Sequence, residues 1–293
     1  MADDERKRPA DAVDLTKDAS PEKKQKVALA DIAKELVCPI TQELPIRPVT
    51  AEDGKIYEEK AIREWFSKKD GAPTSPSTGA VIGTRLLPAP QARNTIEELV
   101  KSGDIDDELA TAWKEKLEQE KVVKEWRAKA EGGDGDAMYL LGTWYGHGQY
   151  GLAKDAAQSR TWYERSAATR DPRGMTGFGV CLLLGYGGPK NTSLGWVYIT
   201  DAAHLGSDLG AYLLGDAFIH GRYGLSEGRV LNPSTAKLQA QFWLKKVVDG
   251  ECEFKHLSDD NLATARRWLD MQEELRRRRA AAAERRRGDR PGG

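Results

Sequence analysis

The chain has 293 residues, a net charge of −1, 39% hydrophobic residues and eight Trp, which is length and apolar content for about two packed domains. Its three Cys, at 38, 181 and 252, form no even-numbered framework and show no metal spacing, which argues against a disulfide scaffold and suits a reducing compartment. The start MADDERKRP is charged where a signal peptide would be apolar, and the run VCLLL (180–184) is too short to cross a bilayer. The expected setting is therefore intracellular, nuclear and/or cytoplasmic, with no membrane partner.

Charge is spread unevenly. The last 18 residues hold eight Arg against Glu284 and Asp289, a local +6 that leaves −7 for the rest. Residues 1–33 carry few large apolar side chains and are expected to be disordered, because they cannot bury enough surface to offset ordering entropy. Two basic clusters there, Arg6-Lys7-Arg8 and Lys23-Lys24-Gln25-Lys26, are spaced like a bipartite nuclear-import signal; a merely solvated charged tail reads equally well.

Over 34–101 the texture changes to short apolar runs and turns. Ile46 to Val49 and Lys55 to Tyr57 read as strands joined by an Asp53-Gly54 hairpin. A helix over 58–68 places Ala61, Ile62, Trp65 and Phe66 on one face and ends at Asp70-Gly71-Ala72-Pro73. A Pro/Ser/Thr loop follows over 74–83. LLPAP (86–90) then leads into a helix from about Gln91 to Lys101, with Ile96, Leu99 and Val100 apolar. Residues 104–131 read as one helical linker whose stripe of Leu109, Trp113, Leu117, Val123, Trp126 and Ala130 should dock on a neighbour.

Residues 134–250 contain a repeat. Three units align with glycines in columns: Gly142, Gly179 and Gly215; then Gly148, Gly185 and Gly221; then Gly151, Gly188 and Gly224. Each unit continues with an aromatic or near-aromatic pair (Trp162-Tyr163, Val197-Tyr198, Phe242-Trp243) and a small or apolar doublet (Ala167-Ala168, Ala202-Ala203, Val247-Val248). First-column spacings of 37 and 36 imply two antiparallel helices per unit, stacked as a solenoid. The first glycine column would let the two helices approach closely, and the later columns would supply turns of positive φ. The insert 224–237 in the third unit is a candidate contact loop. A capping helix is expected over 258–280, with Leu262, Ala265, Leu269 and Met271 inward, followed by a disordered Arg-rich tail over 281–293.

Two resemblances follow. The segments CPITQEL, RPV, DGKIYEEKAIREWF, SPSTG and LLPAPQARNTI, in that order, resemble the U-box, a RING-shaped ubiquitin-ligase domain without metal. The glycine-column pattern resembles the Sel-like repeats, which are related to tetratricopeptide repeats. The implied fold class is a small α+β U-box domain followed by an all-α solenoid of such repeats, with disordered tails. A RING would need about eight Cys and His ligands, and this span has only Cys38. Packing and side-chain hydrogen bonds would hold the loops instead. Val49, Tyr57, Ile62, Phe66, Leu87 and Ile96 are the expected core, with Thr41, Glu43, Thr78 and Arg93 available for polar links.

The resemblance implies docking of a charged ubiquitin-conjugating enzyme by Ile40 and Gln42 on the first loop, Trp65 on the helix, and Pro76 on the second loop. Gly79 stands where many members carry a basic residue that touches both that enzyme and ubiquitin. Ala89 stands where the family usually has Asn bracing the two loops. No catalytic residue, cofactor or metal is expected on this chain: Cys38 has no nearby His to activate it, and His147, His204, His220 and His256 are scattered over the repeats. The reading is a U-box-type ubiquitin-protein ligase whose repeats recruit a protein substrate or adaptor. The alternative is a non-catalytic scaffold with a degenerate U-box. U-box ligases are often dimers, which leaves a homodimer open. A nucleic-acid partner for the Arg tail is not expected, a solvated charged end being the simpler reading.

Overall fold

The computed structural model describes residue 29 and residues 32–68, 71–222 and 232–288. The two basic clusters near the start and the 224–231 part of the expected contact loop, Gly224 included, lie outside the described residues. The chain divides into two compact units, one up to Gln119 and one from Glu120, taken here in turn.

The first unit is built on a three-stranded antiparallel sheet in the order β2-β1-β3, with β1 Pro48–Thr50, β2 Ile56–Glu58 and β3 Leu87–Pro88. Val49 pairs with Tyr57 on one side and with Pro88 on the other. Gly54 closes the hairpin at φ +74°, a conformation in which any other residue would be strained. Helix α1 (Glu59–Ser67) buries Ile62, and α2 (Pro90–Ser102) buries Ala92, Ile96, Leu99 and Val100. The cores are two: Cys38, Val49, Ala51, Tyr57 and Ile62 around the hairpin, and Leu36, Leu44, Ile46, Ile96 and Leu99 beneath α2. The first part of α3 (Asp107–Glu131) packs on the second cluster through Trp113, whose indole Nε1 donates to the Pro45 carbonyl at 3.3 Å.

Four of the six expected core residues, Val49, Tyr57, Ile62 and Ile96, are buried, and Phe66 flanks the core. Leu87 is not core: it is 51% exposed. It lies opposite Thr50, and successive residues of a strand point to opposite faces, so it faces away from the side that Val49 buries.

The second unit is helical among its described residues. After the end of α3 come α4 (Gly135–His147), α5 (Ala156–Ala168), α6 (Pro172–Leu184), α7 (Thr192–His204), α8 (Asp208–His220), α9 (Pro233–Val248) and α10 (Asp259–Gly288). Asp134, Asp155, Asp171, Asn191, Ser207 and Asn232 cap the starts of α4 to α9, each accepting from a backbone N–H of the first turn. Gly148, Gly185 and Gly221 end α4, α6 and α8 in the left-handed conformation, at φ +72°, +71° and +63°. The second glycine column is thus one of helix stops.

The first column is one of close approach. A Cβ on Gly142 would meet the Tyr163 ring at 2.6 Å, one on Gly179 would meet Ile199 at 2.7 Å and the Gly195 carbonyl at 2.9 Å, and one on Gly215 would meet Leu244 at 2.5 Å. These contacts pair α4 with α5, α6 with α7 and α8 with α9, and the order of facing residues (Gly135 to Thr169, Gly146 to Ser159) makes the first pair antiparallel.

Three details differ from expectation. Facing residues Tyr163, Ile199 and Leu244 align Trp162 with Tyr198 and Trp243, one position away from the sequence alignment. Accordingly Trp162 and Trp243 are buried, while Val197 is 55% and Phe242 49% exposed. The loops between paired helices vary in length, so sequence spacing could not carry the register into the second helix. In the third column it is Gly187, not Gly188, that adopts positive φ, where a Cβ would strike the Ala156 carbonyl. Lastly, α10 buries Ala265 and Gln272 but leaves Met271 49% exposed, and it runs on to Gly288, into the first part of the 281–293 tail expected to be disordered, whose residues 289–293 lie outside the described residues. Four alanines (280–283) and the pairs from Arg276, Arg277 and Arg278 to Glu273 and Glu274 favour helix there.

Candidate functional site

The first loop turns on itself. The Cys38 N–H donates to the Glu43 carbonyl and the Gln42 N–H to the Cys38 carbonyl, both at 2.9 Å. Gln42 sits in the left-handed region at φ +58°, and its side-chain amide donates to the Pro39 carbonyl at 2.8 Å. Ile40, at the tip, is half-buried against the Cys38–Tyr57–Ile62 cluster. Glu58 ties the far end of the loop, its Oε2 accepting from the Ile46 and Arg47 amides at 2.7 and 3.1 Å. Glu43 forms an ion pair with Lys116.

The second loop is organised by Ser75, which is 1% exposed. Its hydroxyl donates to Asp53 Oδ2 at 2.5 Å and accepts from the Ser77 and Thr78 amides at 3.2 and 3.0 Å. The same Asp53 oxygen accepts from the Tyr57 hydroxyl at 2.7 Å. Burial alone would raise the Asp53 carboxyl, but donors from Ser75, the Lys55 amide and Tyr57 outweigh it and hold the carboxyl below its ordinary value. Burial and the Asp53 bond push the Tyr57 phenol up to about 12. Trp65, half-buried, donates from Nε1 to the Thr74 carbonyl at 2.9 Å, which ties α1 to the residue before Ser75. Farther along, Glu52 accepts from the Gly83 amide at 2.9 Å.

A hairpin carboxylate, two glutamates and a tryptophan therefore hold the two loops. Among the described residues no group of three or more His, Cys, Asp or Glu could hold a metal ion, and no helix is long and apolar enough to cross a membrane. The match to known families agrees with this architecture over residues 32–105. Residues 32–105 are a U-box domain.

The curated relatives, which include U-box proteins, match short stretches of this chain. WD repeat, SAM and U-box domain-containing protein 1 of Homo sapiens is 44% identical over 64 residues, 22% of this chain and 13% of that protein. U-box domain-containing protein 43 of Arabidopsis thaliana is 39% identical over 72 residues, 23% of this chain and 9% of that protein. A Lotus japonicus protein named as a candidate E3 ubiquitin-protein ligase, LIN-1, is 37% identical over 82 residues, 28% of this chain and 5% of that protein. This chain thus spans 13% or less of the length of these three relatives. A crystal structure of a Sel1 repeat protein from Oxalobacter formigenes superposes on 50% of this chain and 96% of its own, with TM-score 0.38 and 23% identity.

Of the residues expected at the docking surface, Ile40 and Trp65 flank one core cluster of the U-box, and Pro76 is half-buried directly after Ser75. Gln42 and Gly79 are exposed; Gly79 has φ +73° and open space where a Cβ would stand. Ala89 caps the start of α2 with no side-chain hydrogen bond, as its methyl offers no oxygen. Cys38 is fully buried, which removes it as a nucleophile. Sequence reasoning missed Ser75, Glu58 and Glu52 as braces and read Asp53 only as a turn residue. Glu52, Asp53 and Ser75 carried one signal, a position within or beside a turn, where a polar side chain can reach the backbone, whereas Glu58, between β2 and α1, carried none.

Proposed function

We propose that this chain acts as a ubiquitin-protein ligase of the U-box type. Its U-box would hold a ubiquitin-conjugating enzyme that carries ubiquitin on its own Cys, and the repeats would bring a protein substrate within reach. The chain needs no nucleophile for this, because proximity and orientation can supply most of the acceleration. The observation that carries the reading is the pinning of both loops by side-chain oxygens, Asp53 with the buried Ser75 and the half-buried Glu58 with two amides. Ile40, Trp65 and Pro76 are each half-buried beside those pinned segments, and small apolar anchors on rigid loops suit a transient interface.

The test is single-turnover discharge of ubiquitin to free lysine across a panel of conjugating enzymes, comparing the native chain with Ile40→Ala. Trimming Ile40 should weaken enzyme binding by about 1–2 kcal/mol and slow discharge in proportion. Normal discharge by Ile40→Ala, or none by the native chain with any enzyme, overturns the reading. A second reading, a scaffold with a degenerate U-box, is favoured by Gly79 and Ala89, which lack the side chains found there in many members. In that case conjugating enzymes would bind without accelerated discharge.

A further inference from the structure

The repeats carry a groove that the chain itself partly fills. Beyond α9, residues 252–257 run as an extended strap along the start of α8. Ser207 and Phe254 form a parallel bridge, with the Phe254 N–H donating to the Gly206 carbonyl and the Asp208 N–H to the Phe254 carbonyl, both at 3.1 Å. Asp208, 6% exposed, accepts from the His256 and Leu257 amides at 2.8–2.9 Å. The strap's side chains cross the other units: Phe254 lies 5.4 Å from the Arg173 guanidinium on α6, and the His256 ring lies 5.4 Å from Tyr139 on α4, tilted 51° to it.

Past His256 the groove opens into a cavity of about 440 Å³ walled by α4, α5, α6 and the start of α8, with Lys154 and Tyr186 from the connecting loops. Most of its polar groups are engaged internally: Thr143 with the Tyr163 hydroxyl, Tyr186 with the Gly146 carbonyl, Thr176 with Ser207, and His147 Nδ1 with the Thr143 carbonyl. Arg173 is neutralised by Asp136 and Asp171. Besides the Tyr139 hydroxyl and the His256 ring, what stays open is apolar wall, including Leu184 at 72% exposure, and the Lys154 ammonium, which makes no ion pair among the described residues.

We infer that this cavity is a recognition site for an extended partner peptide that inserts a bulky apolar side chain beside an acidic residue. The strap shows that this face accepts extended chain, pairing with its backbone and contacting its rings. Satisfied walls repel an unpaired polar insert and welcome an apolar one, because a polar group without a partner carries its full desolvation cost. Lys154 supplies the single charge preference. The inference names the class of substrate for the ligase reading and rests on it only for that role.

The experiment titrates the full chain with fluorescein-labelled Gly/Ser peptides holding a central Phe-Glu, Phe-Lys or Ala-Glu, read by anisotropy. Phe-Glu should bind best. Ala-Glu should be weaker by more than about tenfold, since truncating Phe to Ala forfeits most of the apolar area that would be buried. Phe-Lys should be weaker by roughly threefold to tenfold, in keeping with an exposed charge pair switched to repulsion. Lys154→Glu should reverse the Glu-over-Lys preference, and Leu184→Asp should weaken Phe-Glu without lowering the melting temperature. Equal binding of all three peptides, or an unchanged preference in Lys154→Glu, overturns the inference. Ubiquitin discharge by the same preparations separates the two ideas. Discharge without peptide preference sinks this inference alone; peptide preference without discharge upholds it and sinks the ligase reading.

Discussion

In the U-box domain, strands of two or three residues carry loops whose shape depends on hydrogen-bonded side-chain oxygens, above all Asp53 and Ser75. In the repeats, five of the six paired helices are 13 residues long, and their spacing depends on what is missing at Gly142, Gly179 and Gly215. One region is specified by added polar contacts, the other by subtracted side chains. The difference teaches where each is brittle. The U-box should be sensitive to losing an acceptor, and the repeats to gaining a methyl group.

The largest effect should come from Gly179→Val. Its Cβ would meet both a side chain and the Gly195 backbone carbonyl, so α7 must move as a unit. A destabilisation of about 3 kcal/mol is expected in urea unfolding, at the upper end for overpacking. A variant as stable as the native chain would show that the helices are not held at this spacing.

Next is Asp53→Ala, which strands the buried Ser75 and Tyr57 hydroxyls at a cost of about 1–3 kcal/mol. The pH dependence gives this loss a signature. The folded Asp53 carboxyl lies below its ordinary value of 3.8, so its contribution is present above that value and fades as pH falls through the folded one. Acid unfolding of Asp53→Asn, followed by circular dichroism, should therefore be flatter than native below about pH 4. An identical acid limb would break the assignment of Asp53 as the brace.

A smaller, favourable change is expected from Ala89→Asn. An N-cap oxygen for α2 should add about 0.5–1 kcal/mol to stability, measured by urea unfolding. If discharge also rises, the added side chain braces the loops as well as the helix. The smallest expected effect is none: prolonged chelation should leave the melting temperature and discharge rate unchanged, because oxygens and packing hold the loops. Stoichiometric zinc by metal analysis would contradict that.

Much of this was legible in the sequence, for reasons that the exceptions expose. Helix stops at Gly148, Gly185 and Gly221 could be read because positive φ restricts the residue type, whatever surrounds it. The pairing of Trp162 with Tyr198 and Trp243 could not, since it depends on loop lengths that carry no register. Leu87 looked like core because its hydrophobicity is local information, whereas its facing, opposite Thr50, is a property of the sheet. Ser75 was invisible for a similar reason. Its acceptor, Asp53, is 22 residues away, and nothing in a Thr-Ser-Pro step announces so distant a partner.

The three thiols offer a use beyond packing. Cys38 lies in the U-box core, Cys181 in the second repeat and Cys252 at the root of the strap, and all three are buried and free. Each is a silent chemical clock for its own neighbourhood, since a thiol-reactive reagent can modify it only when that neighbourhood opens. Timed alkylation of one native sample, read by peptide mass, would rank the opening of loop core, helix pair and strap without a single substitution.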